Sequence, residues 1–117
     1  MKTILVVDDE PDIRDSIKMI FERSGYNVIT AFDGDDCLKK LNHSKIDLVL
    51  LDIMMPGKPV SEIVKNIEDV KIAFISAIQI SDIEKKELST QNNVVDFIQK
   101  PFDTIELVDK VKKIIGE

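Results

Sequence analysis

Two short runs of wholly apolar residues, Ile4-Leu5-Val6-Val7 and Leu48-Val49-Leu50-Leu51, each stop at carboxylates. Unbroken apolar runs of this length suit strands covered on both faces, as in a parallel sheet. The rest of the chain alternates similar runs with stretches of helical spacing. Residues 3–8, 27–31, 46–51, 72–76 and 94–98 are strand-like. Between them, residues 12–24 carry Ile13, Ile17, Ile20, Phe21 and Ser24 at helical spacing, with Pro11 suited to the start and Gly25 to the stop. Asp33-Gly34 marks a turn before a short helix through Cys37, Leu38 and Leu41. Val60, Ile63, Val64 and Ile67 give a third helix. Residues 81–90 give a fourth, with Ile83 and Leu88 expected to face inward and Glu84, Lys85, Lys86 and Glu87 solvated. Ile105, Val108, Val111 and Ile115 mark the last. Five strands and five helices in strict alternation predict an α/β domain with a parallel sheet.

At 117 residues, 44% hydrophobic and 32% charged, the chain fits one folded domain, residues 1–117, around one sizeable core. No apolar run approaches the roughly 18 residues that span a bilayer. Met1-Lys2-Thr3 leads straight into the first strand with no cleavage pattern, so a cytoplasmic location is expected and no membrane partner. The single cysteine, Cys37, excludes an intrachain disulfide framework and fits a reducing compartment, with core packing as its role. A net charge of −6 without a basic stripe argues against direct nucleic-acid binding. His43 falls in a polar turn, where it reads as a solvated loop residue.

The chemistry-bearing residues share one kind of position. Asp8, Asp9, Asp52, Ser76 and Lys100 all fall at or just after predicted strand ends. Doubly wound sheets bind ligands beyond those ends. Asp52 is followed by Ile53-Met54-Met55-Pro56-Gly57, a turn that presents its carboxylate at the sheet edge. If the first and third strands are neighbours, three acids crowd one pocket and repel one another unless a cation joins them. Oxygen donors without sulfur or imidazole select Mg²⁺, or alternatively Mn²⁺. Asp9 and Asp52, with Asp8 and the backbone carbonyl of Met54, are the candidate ligands. Asp52 then suits the role of a nucleophile that accepts a phosphoryl group. Lys100 offers an ammonium and Ser76 a hydroxyl to the phosphoryl oxygens. Each residue alone has an ordinary reading: acids and serines at strand ends cap helices or turns, and a lysine before proline is usually a solvated loop charge. The weight comes from five such positions at one edge of one sheet.

With these residues assembled, the chain closely resembles the response-regulator receiver domain of two-component signalling, over essentially its whole length. The marks are Val6-Val7-Asp8-Asp9-Glu10-Pro11 with Ile13-Arg14, then Leu51-Asp52-Ile53-Met54-Met55-Pro56-Gly57, then Ser76-Ala77, then Asp96-Phe97-Ile98-Gln99-Lys100-Pro101-Phe102. The resemblance implies a flavodoxin-like, doubly wound (βα)5 three-layer sandwich with strand order 2-1-3-4-5. It implies a phosphorelay switch, not a turnover enzyme, in which Asp52 takes phosphate from a histidine kinase or histidine phosphotransfer protein. It assigns Asp8, Asp9 and the Met54 carbonyl to Mg²⁺, and Ser76 and Lys100 to the phosphoryl oxygens. It suggests a cis Lys100-Pro101 bond. It makes Ser76 and Phe97 the switch pair, with Phe97 filling space that Ser76 vacates; the plain alternative is a core aromatic. Arg14, Asp15 and Lys18 are expected to be exposed near the site, as kinase contacts or simply solvated charges. Met54 and Met55 read as gap fillers, apart from the carbonyl role.

The pattern is broken in three places. Lys58-Pro59-Val60-Ser61 replaces the family's usual Asp-Gly pair, the segment from Asp52 to Ser76 is short, and Asn93-Val94 replaces a small Gly-Ala pair. A trimmed third helix or following loop is therefore expected. These changes border the presumed output and dimer face, formed by the fourth helix, fifth strand and fifth helix. Two other functions compete. A phosphate-independent binding module on the same fold is opposed by the complete set of acids, hydroxyl and lysine. A dehalogenase-like phosphatase would need a second acid two residues after the nucleophile, where Met54 stands. With Gly116-Glu117 just past the last helix, the expected output is a separate downstream protein or an output domain missing from the sequence.

Overall fold

The computed structural model describes residues 1–55, 57–77 and 79–116, so Pro56 of the expected turn and Glu117 lie outside the described residues. The elements are β1 (Thr3–Val7), α1 (Pro11–Arg23), β2 (Asn27–Ala31), α2 (Gly34–His43), β3 (Leu48–Asp52), α3 (Val60–Lys65), β4 (Lys71–Ser76), α4 (Asp82–Leu88), β5 (Val94–Gln99) and α5 (Thr104–Ile115). All four strand pairings are parallel, in the order β2-β1-β3-β4-β5. The alternation predicts the parallel sheet, and the strand order is the one the receiver-domain resemblance implies.

The unbroken apolar runs are explained by two cores, one on each face of the sheet. Leu5, Val7, Val49, Leu51, Ile72 and Phe74 face Cys37, Ile63 and Val64 of α2 and α3. Ile4, Val6, Leu48, Leu50, Ala73 and Ile75 face Ile17 and Phe21 of α1 and Leu107 and Val111 of α5. Successive strand residues point to opposite faces, so a strand covered twice must be apolar at every position. Each such side chain contributes about 1.5–3 kcal/mol when fully buried. β4 is as thoroughly buried as β1 and β3, although its run is interrupted by the small Ala73. Cys37 is fully buried as expected, and burial, with the neighbouring Asp36 charge, pushes its thiol up to about 12.

Several boundaries and faces differ from the sequence expectation. Gly34 is the first residue of α2 rather than half of a turn, and the Asp33 carboxylate caps the helix by accepting from the Asp36 N–H. His43 is the last residue of that helix, not a turn residue, and is exposed. Ile83 does not face inward: it is 72% exposed, and α4 buries no residue fully. Ile105 is likewise 72% exposed. On α5 the buried stripe is Leu107, Val111 and the half-buried Ile114, spaced i, i+4, i+7, while Val108 and Ile115 flank it. That helix carries apolar residues on more than one face, so periodicity alone cannot say which face meets the sheet.

α3 has only six residues, in keeping with the short Asp52–Ser76 segment. The Asn93 side-chain amide donates to the carbonyls of Ile67 (3.0 Å) and Val70 (2.9 Å), and the Gln91 amide to that of Val64 (2.8 Å). Two departures from the family pattern thus meet: the amides before β5 donate to carbonyls of the last turn of α3 and of the loop into β4.

Candidate functional site

The β1–β3 register pairs Val7 with Leu51, so the next residues, Asp8 and Asp52, emerge side by side at the carboxyl edge of the sheet. They are 2% and 4% exposed, while Asp9 is open to solvent. Carboxylate oxygens of all three lie within 4.8 Å of one another. Lys100 reaches in from the end of β5, its Nζ 3.1 Å from Asp8 Oδ2 and 3.8 Å from Asp52 Oδ2. Its backbone N–H donates to the Ser76 carbonyl (2.7 Å), and the Lys100–Pro101 bond is cis, as expected. Ser76 ends β4 and is 3% exposed.

The backbone completes the coordination of these acids. Asp52 Oδ1 accepts from the Met54 N–H (3.0 Å) and Asp8 Oδ1 from the Glu10 N–H (2.9 Å). Burial pushes the Asp52 carboxyl above its ordinary range; the Met54 N–H and Lys100 act against this, and the Asp8 and Asp9 charges add to it. Three clustered carboxylates share one ammonium, which pairs with Asp8 and Asp52 but not with Asp9, an excess of negative charge that a divalent cation would neutralise. The donors are hard oxygens with no thiolate or imidazole in the cluster, which fits Mg²⁺ or Mn²⁺.

Met54 is 52% exposed and so is not a gap filler, whereas Met55 packs partly against the core. Asp15 is exposed as expected, whereas Arg14 and Lys18 are only partly exposed, and Arg14 is not a free surface charge: its Nη1 donates to the Asp8 carbonyl (2.8 Å). Phe97 is half-buried, its ring 5.3 Å from that of Phe74 and tilted by 33°. Between Phe97 and Ser76 lies a small cavity of about 70 Å³, also lined by Ile80, Lys85, Ile98 and Gln99. Lys85 is exposed as expected, and it also holds its Nζ 6.0 Å from the Phe97 ring centroid. Its part in this wall had no local signal, since α4 meets β5 only through the tertiary fold. Ile80 left no clear one either, since it is one of several apolar residues in the 77–81 stretch.

The family model described as the response regulator receiver domain matches residues 4–112. The chain belongs to that family. This receiver domain is 40% identical over 116 residues to the alkaline phosphatase synthesis transcriptional regulatory protein PhoP of Bacillus subtilis (strain 168), a match covering 97% of the chain and 48% of PhoP. It is 33% identical over 112 residues to the response regulator GtcR of Aneurinibacillus migulanus, covering 95% of the chain and 46% of GtcR. The chain therefore spans about half the length of these curated relatives. Among solved structures it is similar to the response regulator TrrA from Thermotoga maritima in complex with Mg²⁺-BeF, with 39% identity, a TM-score of 0.81, and coverage of 97% of this chain and 99% of that one. A two-component response regulator from Clostridium difficile, 22% identical with a TM-score of 0.90 over 100% of this chain and 98% of that one, supports the fold alone. Receiver domains are signalling switches of two-component systems, and the CheY-like flavodoxin fold is the one described above. No described helix is long and apolar enough to cross a membrane.

Proposed function

We propose that residues 1–117 form one phosphoacceptor domain, in which Asp52 accepts a phosphoryl group from a histidine kinase or histidine phosphotransfer protein. The observation that carries this reading is the cluster of Asp8, Asp9 and Asp52 within 4.8 Å, with Lys100 between the two buried acids. An Asp52 carboxylate oxygen attacks phosphorus, and the bond from phosphorus to the donor's imidazole nitrogen breaks. That nitrogen keeps the electron pair and takes a proton from solvent. When bound, Mg²⁺ supplies charge neutralisation for the incoming phosphoryl oxygens, held by Asp8, Asp9, Asp52 and the Met54 carbonyl. Lys100 moves its ammonium from the acids to one phosphoryl oxygen, and the Ser76 hydroxyl donates to another.

The switch follows from this second movement. Ser76 and Phe97 both line one small cavity. Drawing the Ser76 side chain towards the phosphoryl group enlarges that space, and Phe97 turns into it. The ligand shifts the balance between the two packings only by its differential affinity for them, typically about 1–3 kcal/mol. The face that would report the change is α4-β5-α5, where Ile83, Val95 and Ile105 are exposed by 72%, 43% and 72%; it suits a dimer partner or a downstream protein.

Incubation with acetyl phosphate and Mg²⁺, followed by intact mass, tests the proposal. Wild type should gain one phosphoryl group, and Asp52→Asn none. A wild type that gains nothing favours the phosphate-independent binding module instead.

A further inference from the structure

Arg14 is placed against local preference. It lies in the first turn of α1, where the helix dipole disfavours a cation. A residue that breaks a local rule in a well-formed element commonly serves a site. The guanidinium donates from Nη1 to the carbonyl oxygen of Asp8 at 2.8 Å. That carbonyl belongs to the peptide joining the two consecutive acids. The other polar atoms of Asp8 are also engaged: its N–H donates to the Ala31 carbonyl (3.2 Å), Oδ1 accepts from the Glu10 N–H, and Oδ2 pairs with Lys100. Asp9 has no such support. Its carboxylate is exposed and has no hydrogen bond or ion pair among the described residues. Only the backbone aims it, through the peptide plane that Arg14 holds.

We propose that Arg14 is a positioning residue for the divalent-cation site: by holding the Asp8 carbonyl it fixes the peptide from which Asp9 projects, and so keeps the Asp9 carboxylate with those of Asp8 and Asp52. This role rests on the Mg²⁺-dependent phosphorylation proposed for Asp52. It carries a distinctive sign. A guanidinium held on the Asp8 carbonyl puts a positive charge close to the acidic site and repels an incoming dication, so on charge alone its removal tightens Mg²⁺ binding. Positioning has the opposite effect, because removing a group that orients metal ligands weakens affinity, typically about 10–100-fold.

The test is a Mg²⁺ titration of the unphosphorylated protein, followed by backbone amide shifts, in wild type, Arg14→Met and Arg14→Lys, with thermal melts in EDTA. Arg14→Met removes the donor and the charge but keeps an apolar stem; Arg14→Lys keeps the charge and a donor. In Arg14→Met the Mg²⁺ Kd should rise about tenfold while melting in EDTA stays near that of wild type, and Arg14→Lys should regain most of the loss. Unchanged or tighter Mg²⁺ binding in Arg14→Met overturns the role. Should that variant fail to fold, the Arg14 guanidinium protons of wild type decide: slow solvent exchange with Mg²⁺ bound supports the contact, and exchange as fast as in free arginine overturns it. Absence of Mg²⁺ binding by wild type removes this role and the Mg²⁺-dependent function together, whereas binding that Arg14→Met leaves intact removes this role alone.

Discussion

Asp52 shows how far a single side chain can be held against its own charge. It is buried, and its carboxyl is raised above the ordinary range chiefly by desolvation. The native state therefore binds this proton more tightly than the unfolded chain does. Stability falls as pH rises from the ordinary carboxylate value, about 3.9, to the raised native one, and the penalty stays in full above that. In EDTA, Asp52→Asn should thus melt higher than wild type at neutral pH and lose its advantage below about pH 4. Each kcal/mol of relief would appear as roughly 4 °C in melting temperature for a chain of this length. Equal melting temperatures at pH 7 would mean that Lys100 and the Met54 N–H already offset the whole cost of burial.

Among the elements, α2 and α3 approach closely at Gly34. Gly34 opens α2, and a Cβ there would collide with Cγ1 and Cδ1 of Ile63 on α3. Helix propensity favours alanine over glycine by about 1 kcal/mol in a helix interior. Overpacking costs typically about 1–3 kcal/mol, so Gly34→Ala should be destabilising on balance. The cost should shrink in an Ile63→Ala background, and a double-mutant cycle in denaturant should show coupling of about 0.5 kcal/mol or more. Strict additivity would mean that the two helices part without resistance. The Lys58–Asp35 ion pair (2.7 Å) also joins the segment before α3 to α2, but an exposed pair contributes little.

For the whole molecule, the consequence of the parallel sheet is that residues 8, 52 and 100 meet at one edge. A cation bound there binds only the folded chain. Mg²⁺ at a hundred times its Kd should add about 2.7 kcal/mol, roughly 10 °C in melting temperature. Thermal melts with and without Mg²⁺ should show this rise in wild type and a much smaller one in Asp9→Asn. A wild-type melting temperature indifferent to Mg²⁺ would count against any metal at the three acids.

Local chemistry alone determined the alternation of strands and helices and which residues close the strands. Unbroken apolar runs demand cover on both faces, and the spacing of Ile13, Ile17, Ile20 and Phe21 demands a helix. The five positions of the candidate site were legible for the same reason, because polar groups that interrupt apolar runs must emerge at a sheet edge. What belonged to the tertiary structure was every choice among locally equivalent options. Packing decided that α5 turns Leu107 rather than Ile105 to the sheet and that Ile83 stays outside. It brought Lys85 over Phe97, fitted Gly34 under Ile63 and turned Arg14 onto the Asp8 carbonyl. These are contacts between segments distant in sequence or between a side chain and the backbone of a neighbouring loop, and their energies exist only once strand register and helix placement have set the distances.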